Sequence, residues 1–109
     1  MFKAQGDHQR ALELKPDLAE AHSNLGISLQ DLGKPEEAVA SYRKALALKP
    51  DYAEAHNNLG VVLQDLGELE EAVVSYHKAL DLSPDYAEAH YNLGNALHDL
   101  GKPEEAVAG

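Results

Sequence analysis

A spacing of 34 residues runs through this 109-residue chain and constrains its fold more than any other feature. Pro16, Pro50 and Pro84 keep that spacing, as do Gly26, Gly60 and Gly94, and Gly33, Gly67 and Gly101. Residues 19–52 and 53–86 differ at nine of 34 positions, and residues 87–108 match 53–74 at 15 of 22. Ahead of Ala19, the residues Ala4, His8, Ala11 and Pro16 hold the same phase. The chain therefore reads as a single repeat domain, 1–109. It comprises the second half of a unit (1–18), two whole units (19–52 and 53–86) and a truncated one (87–109). Units this short bury an apolar face only against their neighbours, so a fixed period implies stacking into a solenoid.

Each unit spells two helices. Asp17, Asp51 and Asp85 follow a proline and precede Glu20, Glu54 and Glu88 by three, the pattern of a capping box at a helix start. Apolar residues then recur at helical spacing, as Ala21, Leu25, Leu29, Leu32 and as Ala55, Leu59, Leu63, Leu66. Gly33, Gly67 and Gly101 read as left-handed caps closing this first helix. Pro35 and Pro103 stand in the first turn of the second helix, where a missing N–H costs nothing. Ala38, Tyr42, Ala45, Leu46 and Leu48 form its buried face, and Pro50 ends it. The spacing predicts helices near 2–14, 18–31, 36–48, 52–65, 70–82 and 86–99, and no strand. Gly26 and Gly60 lie mid-helix, where glycine costs about 1 kcal/mol against alanine. That cost, repeated, implies a close helix crossing.

With these residues in place the sequence resembles the tetratricopeptide repeat family. The family pattern of a bulky residue, Leu-Gly, a large residue, Ala, an aromatic and Pro is met by His22, Leu25-Gly26, Leu29, Ala38, Tyr42 and Pro50. It is met again by His56, Leu59-Gly60, Leu63, Ala72, Tyr76 and Pro84. Two departures are His in the first bulky slot and Leu three residues after the Leu-Gly pair. The resemblance implies an all-α, right-handed superhelical solenoid of antiparallel helix pairs, with the first helix of each unit lining a concave groove.

On that resemblance the groove-facing positions are Glu20, Ser23, Asn24, Ile27, Gln30 and Asp31, then Glu54, Asn57, Asn58, Val61, Gln64 and Asp65. The third unit adds Glu88, Tyr91, Asn92, Asn95, His98 and Asp99. Asn24, Asn58 and Asn92 recur at the repeat period. An amide both donates and accepts, so a ladder of them can pair with the backbone of an extended peptide. The strings Ala-His-Ser-Asn-Leu and Ala-His-Asn-Asn-Leu are similar to the repeat region of O-linked N-acetylglucosamine transferases, where a ladder at this position holds peptide backbone. The ladder reads equally as hydrogen bonds between repeats that set the superhelix. Ser23, Asn57 and Tyr91 differ between units, as do Ile27, Val61 and Asn95, which suits side-chain pockets or drift on a solvent face. Some tetratricopeptide domains clamp a C-terminal carboxylate with Lys near the position of Glu20, Glu54 and Glu88; glutamate there excludes that clamp.

Nine Lys and Arg against nineteen Asp and Glu give a net charge of -10. That balance disfavours nucleic acid and anionic membrane and favours a neutral or basic polypeptide partner. No cysteine is present, which removes disulfides, thiolate metal sites and cysteine nucleophiles. Together with an N-terminus lacking an apolar signal segment, it points to a cytoplasmic or other intracellular setting. His22, His56 and His90 sit one per repeat, about 10 Å apart at helix-packing distance. That is too far for the ~2 Å bonds of one zinc ion, so packing is expected and neither metal nor cofactor. No nucleophile elbow, P-loop or dinucleotide motif occurs, so no catalytic activity is expected. The reading is a peptide-binding module using Asn24, Asn58 and Asn92. The alternative is a self-assembling scaffold whose repeat ends stack head to tail.

Overall fold

A computed structural model describes residues 18–101. They form five helices: α1 (18–31), α2 (Pro35–Leu48), α3 (Ala53–Asp65), α4 (Leu69–Leu82) and α5 (Ala87–Asp99), with no strand among the described residues. Each bound lies within one residue of the spacing-based expectation. The expected helix at 2–14 lies outside the described residues.

The helices alternate in two layers. α3 packs against α2 and α4, and α5 packs against α4, so antiparallel pairs form a continuous stack. The α3 and α5 backbones also approach each other closely, whereas those of α2 and α4 stay further apart. The first helices α3 and α5 are thus closer than the second helices α2 and α4, which puts α3 and α5 on the inner side of the bend, the side that α1 shares by its register in the repeat. On the outer side a cleft of about 640 Å³ opens between α2 and α4, with His56, Leu59 and Leu63 at its floor. Arg43 and Glu71 pair across its rim at 2.9 Å; both are half exposed, so the pair contributes little to stability.

The helix ends show which local signals act. Gly67 has φ 82°, and its N–H donates to the Gln64 carbonyl at 3.0 Å while Glu68 N–H donates to Leu63 at 2.8 Å. These two bonds make a Schellman cap, which requires the left-handed residue that glycine supplies without strain. Gly33 repeats it with φ 77°. Pro35 is the first residue of α2, as its lack of an N–H permits. The capping box is not formed at α3 or α5, and the one expected at Asp17 lies outside the described residues. Tyr52 and Tyr86 hold the N-cap positions of α3 and α5, with no side-chain cap bond at either. Pro50 and Asp51 are used up in a turn closed by Tyr52 N–H to the Lys49 carbonyl at 3.2 Å, so Asp51 sits one residue too early to cap.

The close crossing inferred from the mid-helix glycines is present. A Cβ placed on Gly60 would stand 2.5 Å from Tyr76 Cε1, and one on Gly26 would stand 2.6 Å from Tyr42 Cε1. Both rings are fully buried, as are Ala38 and Ala72, and they join Leu59, Val62, Leu63 and Ala96 in one core. At the end helices the apolar stripe is less covered. Leu59 is 7% exposed but its counterpart Leu25 is 48% exposed. In the 34-residue register the cover for Leu25 falls before residue 18, outside the described residues. Leu32 is also open, at 69%.

The glycines give a paired test. Gly60→Ala should lower stability by about 1–3 kcal/mol through overpacking, with up to about 1 kcal/mol regained from helix propensity. A Cβ on Gly94 meets nothing within 4 Å. Gly94→Ala should therefore raise stability by roughly 0.5–1 kcal/mol. Thermal unfolding reads both, and equal shifts in the same direction would contradict the packing described.

Candidate functional site

The inner face is assembled from one helix per unit, so the residues of interest repeat along it. Asn24 is exposed on α1, and Asn58 and Asn92 are half-buried on α3 and α5. Asn92 Nδ2 donates to Asn57 Oδ1 at 3.1 Å, one repeat back. That bond spends one N–H of Asn92 on the junction between α3 and α5. Ser23 and Asn57 are buried, at 2% and 0% exposure. They pack in the junctions between units, and the Nδ2 of Asn57 has no hydrogen-bond partner. Tyr91 is 70% exposed, Ile27 42%, Asn95 is open, and Val61 packs half-buried against the core.

Gln30 and Gln64 are half-buried because each accepts from a buried tyrosine. Tyr42 Oη donates to Gln30 Oε1, and Tyr76 Oη donates to Gln64 Oε1 at 2.8 Å. Gln64 Nε2 then donates to Asp99 Oδ2 at 3.0 Å, so one chain of bonds ties α4, α3 and α5 together. Burial raises the pKa of the Tyr42 hydroxyl, with Asp31 adding to it, and that of Tyr76, with Asp65 and Glu88 adding. Asp31, Asp65 and Asp99 are exposed, as are Glu20, Glu54 and Glu88, which leaves the face lined with carboxylates.

The repeated histidines do more than fill space. His56 Nε2 donates to the Pro50 carbonyl at 2.9 Å, and His90 Nε2 to the Pro84 carbonyl at 2.7 Å. Each ties its helix to the turn before it, a role that the sequence period could have signalled, since His follows Pro by six residues each time. Among the described residues no group of three His, Asp or Glu side chains is placed to hold a metal ion.

This architecture and its residue pattern agree with a known family: a model of the TPR repeat matches residues 28–67 and 63–101. The chain belongs to the TPR repeat family. Solved structures share the fold. The crystal structure of MamA superposes with a TM-score of 0.77 at 30% identity, covering 85% of this chain and 54% of that one. A second MamA structure gives 0.78 at 30% identity, covering 89% and 53%. The chain thus spans about half the length of the MamA structures. The second TPR of Spaghetti (RPAP3), solved bound to the HSP90 peptide SRMEEVD, gives 0.81 at 26% identity over 91% of both chains. None of the curated proteins matches the chain. A TPR array is a protein-interaction fold, and no helix among the described residues is long and apolar enough to cross a membrane.

Proposed function

We propose that the chain binds an extended polypeptide segment along its inner face, with the backbone of that segment paired to Asn24, Asn58 and Asn92. The observation that carries this reading is the partial exposure of the three amides on one side of the stack, at the same register on α1, α3 and α5. Asn92 meets Asn57 through its N–H and so keeps its oxygen as an acceptor. Ile27, Asn95 and Tyr91 are open beside the ladder and would contact ligand side chains. The TPR of Spaghetti supports the class of ligand, being bound to a peptide. That peptide, SRMEEVD, carries three acidic residues. Here Glu20, Glu54, Glu88, Asp31 and Asp65 line the face, so a neutral or basic segment is the better electrostatic match.

Asn58→Ala tests the ladder. It should weaken a peptide selected from a random library by about 1–3 kcal/mol, the cost of a lost buried hydrogen bond. Asn58 makes no side-chain bond to another described residue, so the unfolding midpoint should move little. Calorimetric titration with unchanged affinity would reduce the ladder to a structural role.

End-to-end self-association is a second reading, favoured by the apolar side chains exposed on α1 and α5, the first and last of the described helices. Leu18 and Leu25 on α1 are 45% and 48% exposed, and Leu97 on α5 is 42% exposed. Sedimentation should then show mass rising with concentration; a strict monomer to millimolar concentration would overturn it.

A further inference from the structure

The turn joining one unit to the next is built twice with the same backbone. Lys49 has φ -141°, ψ 84°, and its counterpart Ser83 has φ -140°, ψ 84°. Tyr52 N–H closes the first turn on the Lys49 carbonyl at 3.2 Å, and Tyr86 N–H closes the second on the Ser83 carbonyl at 3.0 Å. Tyr52 and Tyr86 emerge at the N-caps of α3 and α5, each half-buried. The difference is the side chain that opens the turn. Lys49 lays its Nζ over the Tyr52 ring, 4.9 Å from the centroid. Serine is far too short to do this, and among the described residues no cation stands over Tyr86.

Two carboxylates are close enough to act on the uncovered ring. Glu54 lies in the first turn of α3 and Glu88 in the first turn of α5, both exposed. The Tyr86 hydroxyl is pushed up in pKa by burial first and then by Glu88 and Glu54, while the side chain of Asn57 opposes the shift.

We propose that Tyr86, together with Glu54 and Glu88 in the first turns of α3 and α5, is a subsite for a cationic side chain of a bound polypeptide, arginine above all, and that Lys49 on Tyr52 is its internal counterpart one repeat earlier. A cation over an aromatic face is held by the ring quadrupole, and a guanidinium both stacks flat and donates to nearby carboxylates. The net charge of -10 draws such a ligand in. The subsite rests on the polypeptide-binding reading and specifies the basic residue that the ligand brings.

The test is an NMR titration of the 109-residue chain, following the tyrosine ring protons. The probes are acetyl-Gly-Ser-Arg-Ser-Gly-amide and the same peptide with neutral citrulline in place of arginine. The arginine peptide should shift the Tyr86 ring and bind about threefold or more tighter than the citrulline peptide. Ser83→Lys supplies an internal cation and should erase that preference. Lys49→Ser bares Tyr52 and should add a second arginine-dependent site. Tyr86→Leu should abolish the first. Equal binding of the two peptides, binding of neither, or an arginine preference that survives Ser83→Lys overturns the subsite. If both peptides bind alike and Asn58→Ala weakens both, the ladder stands and only the subsite falls. If Ser83→Lys acts but Asn58→Ala does not, the subsite stands and the ladder falls.

Discussion

Tyr76→Ala is expected to cost the fold about 3–5 kcal/mol, the range for emptying a large aromatic from a packed core. The Tyr76 ring is fully buried and lies against Gly60, whose missing side chain makes room for it. Truncation leaves that space unfilled from both sides, because glycine has nothing to collapse into it. It also removes the hydroxyl that donates to Gln64 at 2.8 Å and thereby loosens the link from Gln64 to Asp99. Tyr76→Phe separates the two losses. It keeps the ring and deletes only the hydrogen bond, so about 0.5–1.5 kcal/mol is expected. Small domains hold only about 5–15 kcal/mol in total, so the alanine variant should be largely unfolded at modest urea concentration. Urea titration followed by circular dichroism reads both values. An alanine variant within about 1 kcal/mol of the parent would mean that the ring does not organise the core.

The close crossing at Gly26 and Gly60 was legible in the sequence because it is written twice, although the spacing did not say that Tyr42 and Tyr76 fill it. Gly26 with Tyr42 and Gly60 with Tyr76 keep one register, and an unfavourable residue that recurs in a helix implies a neighbour that needs its space. The left-handed caps at Gly33 and Gly67 were legible for the same reason: a helix stop is local and depends on one residue's φ. Misreading began where two local signals competed. Asp51 matches a capping box three residues before Glu54, but Pro50 commits Asp51 to the turn, and α3 starts at Ala53 instead.

Features set by the angle between units were not legible. Helical spacing places Ser23 and Asn57 beside the amide ladder, but it does not say how closely α3 and α5 approach. In the structure that approach buries Asn57 completely and brings Asn92 within 3.1 Å of it. The chain of bonds from Tyr76 through Gln64 to Asp99 spans 35 residues in its second step alone and depends on the same approach. The Lys49–Tyr52 contact belongs to this class too, since only the folded turn brings the ammonium over the ring.

Alkaline pH should unfold the chain through its buried tyrosines. Tyr42 and Tyr76 have their pKa raised above the ordinary value of 10.0, first by burial, then by Asp31 for Tyr42 and by Asp65 and Glu88 for Tyr76. The folded state therefore holds these protons more tightly than the unfolded chain does. Below about pH 10 both states are protonated, and the contribution of the two hydroxyls is fully present. Above it the unfolded chain releases protons that the folded chain retains, so stability falls as pH rises. Each retained proton contributes about 1.4 kcal/mol per pH unit, or about 2.7 kcal/mol per unit for the pair. Tyr52 and Tyr86, also raised chiefly by burial, add a loss of the same sign. Urea midpoints taken from pH 8 to 11.5 should stay level at first and then drop steeply, with tyrosinate absorbance appearing as the helix signal is lost. The Tyr42→Phe, Tyr76→Phe double variant is less stable at pH 8 but lacks these two hydroxyls and keeps only the smaller loss from Tyr52 and Tyr86, so its decline should be shallower by about 2.7 kcal/mol per pH unit. Parallel declines in the parent and the double variant would show that other groups govern the alkaline transition.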